Sequence, residues 1–378
     1  MAKNRLQELH DVEQSIWLDS IDRRMVHNGE LDRRISQDAL TGMTSNPTIF
    51  QKALASSDAY DEQIIEGEEK GLSNWELFEL LETTDVRDAC DRFADVFTST
   101  RGGDGYVSIE VSPGVANSAD ATVEEAMRLW KTVDRPNVMV KVPGTPEGAL
   151  AVRRLTAAGI NVNITLLFAL EAHERVIDAY MAGLEDRVAK QQPIAGIASV
   201  ASFFVSRVDT EVDKRIDALI AKATDAEKER LQMLKGRAAI ANAKLAYRLF
   251  RQKFSGPRWE ALARHGARLQ RPLWASTSTK NPAYRDVMYV EELIGPDTVN
   301  TMPPATIEAF REHGVVDKTV DKKVAAAEGL LKEIEALGIS IKDVTAKLLV
   351  EGIASFQKSF DELISGLESK VGSLTPGK

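Results

Sequence analysis

The feature that most limits what this chain can become is an alternation of short apolar, β-branched runs with longer helical stretches. Eight such runs occur, at 15–21 (SIWLDSI), 40–46 (LTGMTSN), 106–112 (YVSIEVS), 138–143 (VMVKVP), 160–166 (INVNITL), 197–203 (IASVASF), 273–277 (LWAST) and 298–302 (TVNTM). Strands that alternate with helices build βα units and a parallel sheet. Eight of them predict an α/β fold, a closed (β/α)8 TIM barrel, with a doubly wound open sheet as the alternative. About 60 residues separate the second run from the third, so that unit carries extra helices.

Several helix starts are punctuated. Asn46-Pro47 and Asn281-Pro282 each place a proline at a first helical position. Ser73 with Glu76 reads as a capping box, and so does Thr122 with Glu125. The stretch from Arg207 to Phe250 predicts two helices with a break near Ala223-Thr224-Asp225. Beyond residue 317 there is no further strand, and Leu330, Leu331, Ile334, Leu348, Phe356 and Phe360 recur at helical spacing. They predict amphipathic helices packed on the barrel, or a lid over its mouth. The whole chain, 1–378, therefore reads as one barrel domain with a C-terminal helical extension from about 317.

Charge and cysteine content narrow the function. The chain has 48 Lys+Arg against 57 Asp+Glu, a net charge of −9, which disfavours a broad nucleic-acid surface. A small anionic ligand needs only a few local donors and stays open. The single cysteine, Cys90, excludes an intramolecular disulfide and any multi-cysteine metal site; it lies in a helical pattern and reads as a reduced core thiol. No run is long and apolar enough for a transmembrane helix. The polar start MAKNRLQELHDVEQ lacks a signal peptide's apolar core, so a cytoplasmic location is expected. His10, His27, His173, His265 and His313 have no ligand spacing, and no HExxH, GxGxxG or P-loop motif is present.

The informative signal is polar residues inside the apolar runs. Asp19, Glu110 and Lys141 each interrupt a different strand, and Asn163 and Thr165 share a face of the fifth. A charge in a strand core costs several kcal/mol unless it is paired. In a barrel the C-terminal strand ends converge on one site. A lysine buried among apolar residues loses proton affinity and becomes a nucleophile suited to a Schiff base. Glu110 and Asp19 would then supply the acid/base steps, and Thr165 could hold a water between Glu110 and the reacting carbon. The plainer reading is an inert ion pair of Lys141 with Glu110 or Asp19. A second group, Arg207 at the end of the sixth strand region with Ser276 and Lys280 after the seventh, suits phosphate. Taken singly, these are also compatible with surface ion pairs and an ordinary Ser/Thr-rich turn.

Four segments, TSNPTIF (44–50), VKVPGTPEG (140–148), GINVNITLLF (159–168) and WASTSTKNPAY (274–284), resemble transaldolases, and TVNTMPP with the helical C-terminus resembles their longer bacterial subfamily. The resemblance implies transfer of a dihydroxyacetone unit between sugar phosphates without cofactor or metal. It implies Lys141 as the Schiff-base lysine, Glu110 as acid/base through a water on Thr165, and Asp19 as the second acid/base. It further implies Asn46, Asn163 and Ser202 on substrate hydroxyls, and Arg207 and Ser276 on phosphate. Many relatives carry a second phosphate arginine where this chain has Ser278, and Lys280 is the nearest cation. The partners implied are small sugar phosphates, with no nucleic acid and no membrane, in a monomer or homodimer. The related fructose 6-phosphate aldolases resemble a pattern with Gln and Tyr where this chain has Glu110 and Phe204. A catalytically silent barrel has no need of Asp19, Glu110, Lys141 and Thr165 together.

Overall fold

A computed structural model describes residues 3–374. The outermost ends of the expected 1–378 unit, including most of the SLTPGK tail, lie outside the described residues. All eight expected strands form: β1 Gln14–Asp19, β2 Leu40–Thr44, β3 Tyr106–Glu110, β4 Val138–Pro143, β5 Val162–Leu167, β6 Ser199–Phe204, β7 Gln270–Ala275 and β8 Thr298–Met302. Each pairs in parallel with the next, and β8 pairs with β1 to close the barrel. The open-sheet alternative is thereby excluded. Every strand residue except Asp19 and Arg271 is buried, as expected of a parallel sheet covered on its outer face by helices.

Alternation along each strand sends one set of side chains outward and the other into the barrel. In β4, Val138, Val140 and Val142 form one set; Met139 and Lys141 belong to the other. Low in the interior the indole of Trp17 lies against Gly42, where a Cβ would come within 2.5 Å of Nε1. Trp17 Nε1 donates to Asp104 Oδ1 at 2.8 Å.

The connection from β2 to β3 carries the additional helices Pro47–Ser56, Asp61–Glu69, Asn74–Arg92 and Ala94–Ser99. Asn46 caps the first, accepting from Ile49 N at 3.1 Å, with Pro47 in its first turn. Ser73 and Glu76 form the expected capping box. Cys90 is buried in that helix, where burial pushes its thiol up.

Four local expectations need correction. Thr122 caps nothing: the helix Ala119–Val133 starts at Ser118, Thr122 Oγ1 donates to Val115 O, and Glu125 accepts from Ser112 N and Oγ at 2.7 and 2.8 Å. No helix starts at Asn281-Pro282. Asn281 Oδ1 accepts from Ala283 N, which closes a local turn instead, and Tyr284 anchors the segment on Asp213 at 2.5 Å. The 207–250 stretch forms three helices, Ser206–Ile220, Asp225–Gln232 and Ala238–Lys253. Besides the expected break at Thr224, a second occurs at Gly236, whose φ of +69° and contact with the Tyr284 ring admit no side chain. Arg207 lies in the first turn of a helix rather than at a strand end.

Helices Val324–Ala336 and Ile341–Leu374 close the described chain. The first packs on Ala238–Lys253. The second crosses the barrel mouth against Pro47–Ser56, Asn74–Arg92, β5 and Ser206–Ile220. Phe360 meets Trp75 and Phe78 at ring centroid distances of 5.2 and 5.5 Å. Gly352 lies over Leu166 and Arg207. This helix both packs and covers. Among the described residues no helix is long and apolar enough to cross a membrane.

Candidate active site

The strand register sets the reactive groups side by side. Glu110 of β3 is opposite Lys141 of β4, and Lys141 is opposite Asn163 of β5. Lys141 Nζ lies 2.8 Å from Glu110 Oε2 and donates to the Ser45 carbonyl at 2.8 Å. Both side chains are buried. The contact with Glu110 is one of charge rather than a well-directed hydrogen bond. Burial raises the proton affinity of Glu110, Lys141 opposes that, and Asp19 adds to it.

Lys141 opens onto a cleft of about 290 Å³ at the C-terminal end of the barrel, the face that carries the loops after each strand. Eight of the ten expected site residues line it: Asp19, Asn46, Lys141, Thr165, Ser202, Arg207, Ser276 and Lys280. The other two stand behind. Glu110 stands behind Lys141, in contact with its ammonium group. Asn163 is fully buried, donating to Ser108 Oγ at 3.0 Å and accepting from Ser202 Oγ at 2.6 Å.

On the cleft wall, Asp19 Oδ1 accepts from Thr44 Oγ1 at 2.9 Å. Desolvation raises Asp19, against the pull of Lys141, Thr44, Lys280 and Arg207. Thr165 Oγ1 is buried and makes no hydrogen bond among the described residues. It is followed by Leu166 at φ +59°, where the pairing of β5 with β6 shifts register. Ser276 is likewise left-handed at φ +57°. Such conformations cost roughly 1–3 kcal/mol each and gather at functional sites.

The outer part of the cleft is cationic. Arg207 rests on the Phe204 ring at 5.3 Å, and Lys280 donates to Ser278 Oγ at 2.8 Å. Among the described residues no carboxylate forms an ion pair with Arg207, Lys280 or the neighbouring Lys52. Burial, then repulsion from Arg207, lowers the proton affinity of Lys280, and Lys52 adds a smaller push. Three unpaired cations facing one space favour an anion. No group of His, Cys, Asp and Glu among the described residues could hold a metal ion.

The sequence matches the family model described as Transaldolase/Fructose-6-phosphate aldolase over residues 16–367. This chain belongs to that family. The Trichodesmium erythraeum protein named transaldolase is 48% identical over 379 residues, covering the whole of both chains. A Nostoc protein named transaldolase 2 is 46% identical over 380 residues, again the whole of both. The Saccharopolyspora erythraea transaldolase is 46% identical over 371 residues, 98% of each chain.

Within this family the cleft contains residues that sequence reasoning passed over. Lys52, Thr44, Ser278, Thr301 and Phe356 all line it. Lys52 was accessible to pattern reading: it follows Thr48 by four residues on the helix that Asn46 caps, so both share a face. Ser278, noted only as a departure, holds Lys280. Phe356 was legible as an apolar position of a helix packed on the barrel or covering its mouth, but its place in the cleft wall is seen only in the folded chain.

Proposed function

We propose that the chain is a transaldolase. It moves a dihydroxyacetone unit from sedoheptulose 7-phosphate to glyceraldehyde 3-phosphate, giving erythrose 4-phosphate and fructose 6-phosphate in the non-oxidative pentose phosphate pathway. The observation that carries this reading is the buried Lys141–Glu110 pair at 2.8 Å, at the floor of a cleft with unpaired cations above it.

Lys141 adds to the ketose C2 carbonyl once its proton has passed to Glu110, the adjacent base. Glu110 then returns a proton through a water on Thr165 as the carbinolamine loses water. The C4 hydroxyl gives its proton to Asp19, the C3–C4 bond breaks, and its electron pair enters the iminium as an enamine. The aldehyde leaves, and the acceptor aldehyde takes its place. The enamine carbon attacks that carbonyl while Asp19 returns the proton, and hydrolysis frees Lys141. Asn46, Ser202 and, behind it, Asn163 orient the substrate hydroxyls. Arg207, Ser276 and Lys280 bind the phosphate, with Lys52 beside them.

In this reading 1–378 is one domain, and the protein works on free sugar phosphates in the cytoplasm as a monomer or homodimer. Borohydride with fructose 6-phosphate should fix a three-carbon adduct on Lys141. An unmodified Lys141 peptide under turnover conditions overturns the mechanism. The family model also covers aldolases, so a second assay supplies erythrose 4-phosphate with fructose 6-phosphate. Sedoheptulose 7-phosphate marks the transferase; free dihydroxyacetone marks an aldolase.

A further inference from the structure

Glu110 has a second side. Away from Lys141 it faces a small chamber of about 10 Å³ between β3 and the covering helices, with room for one water. Two more carboxylates line this chamber: Glu82 from the helix Asn74–Arg92 and Glu125 from Ala119–Val133. Phe78, Leu129 and Phe360 form its apolar wall. Glu125 is committed to Ser112. Glu82 is only 4% exposed, and among the described residues it has no hydrogen bond or ion pair.

An unpaired carboxylate so deeply buried is anomalous, because desolvating its charge costs several kcal/mol. The groups that act on it give it no relief. Glu110 and Glu125 repel its charge, as does Asp85 more weakly; Lys141 attracts it but is already paired with Glu110. Asp85 is itself held by Arg23 and Tyr60, and Glu79 at the chamber rim by Arg128. Burial and these neighbours push the proton affinity of Glu82 well above the usual carboxylate range. As a neutral acid Glu82 gains an O–H donor. Glu110, in contact with Lys141 through Oε2, lines the same chamber and is the carboxylate that such a donor can serve.

We propose that Glu82 is a positioning residue for Glu110: as the neutral acid it donates to the Glu110 carboxylate across the chamber, directly or through one water, and so steadies the ionised form of Glu110. The proposal rests on the acid/base role given to Glu110 above. A hydrogen bond to the charged form favours that form. Glu110, whose proton affinity burial raises, is thereby kept available as a base at neutral pH. When Glu82 itself ionises at higher pH, a second negative charge appears beside the reactive pair and contributes to the alkaline limb of the activity.

The test compares pH–rate profiles of the full-length wild type, Glu82→Met, Glu82→Gln and Glu110→Gln, each with a thermal-unfolding control. Glu82→Met removes the donor, so the acid limb of kcat should move up by about one pH unit. Its kcat at neutral pH should fall about tenfold, with KM within about twofold. Glu82→Gln keeps an N–H donor but cannot ionise; its acid limb should stay at the wild-type position and its alkaline limb should move up. An acid limb unchanged in Glu82→Met, or moved equally in both variants, overturns the proposal. If Glu82→Met does not fold, the Gln variant decides, since an unchanged alkaline limb there also overturns it. Wild-type turnover in Glu110→Gln would instead overturn the role of Glu110 itself. Loss of turnover there, with unaltered Glu82 profiles, removes the positioning proposal alone.

Discussion

Lys141 and Glu110 stand in direct contact, and each bears on whether the other can react. A charged lysine is no nucleophile, yet the base that can discharge it is 2.8 Å away and is itself made reluctant to stay ionised by burial. The pair can pass its proton internally, without a path to solvent. His173 shows burial acting without a partner. It is fully buried against Phe203, neither ring nitrogen has a hydrogen bond among the described residues, and desolvation lowers it from 6.5 to about 4. The unfolded chain therefore takes up a proton before the folded one does. Stability that is fully present above pH 6.5 is lost as pH falls toward 4, by about 3 kcal/mol at the limit. Replacing His173 with Leu should flatten the decline of Tm across that window. Parallel melting curves for variant and wild type would show that the imidazole does not set acid sensitivity. Sequence pattern found Lys141 because a charge among valines is visible at one position. It could not find Glu82 or His173, whose helical positions become anomalous only once burial and missing partners are known.

At the scale of elements, the turns after the strands deliver the site. Asn46 does two jobs: it caps the helix that carries Lys52, and it lines the cleft. The two separate by substitution. Asn46→Ala should cost about 1 kcal/mol of stability through the lost cap and also impair turnover. Asn46→Asp keeps an acceptor for Ile49 N, so thermal unfolding should recover while turnover stays low. Recovery of both in the Asp variant would mean that Asn46 acts only as a cap. The turn after β4 is equally constrained: a Cβ on Gly148 would fall 1.8 Å from the Pro143 carbonyl. These turns were legible because proline, asparagine and glycine act through local sterics. Strand extents were legible where apolar runs end cleanly, as in Val138–Pro143 and Thr298–Met302. β7 starts earlier than its apolar run because Gln270 and Arg271 find partners in Ser199 and Ser15 inside the barrel. Thr122 and Asn281 were misjudged for a related reason. Each had a competing hydrogen bond: Thr122 reaches back to the Val115 carbonyl outside its motif, and Asn281 accepts from Ala283 N in a turn of its own.

For the whole molecule, an acidic chain contains a cationic cleft, and its last helix supplies part of that cleft's wall. Phe356 is buried there, with Phe360 anchored on Trp75. Phe356→Ala should lower stability by about 3 kcal/mol and raise KM for the ketose phosphate severalfold, with kcat less affected. An unchanged KM in steady-state kinetics would make this helix packing alone. The order of synthesis adds a further consequence. Chains are made from the N-terminus, and structure forms as it emerges. The ring of strands is complete at Met302, well before Ile341–Leu374 is made. A nascent chain can thus hold a closed barrel with an uncovered mouth.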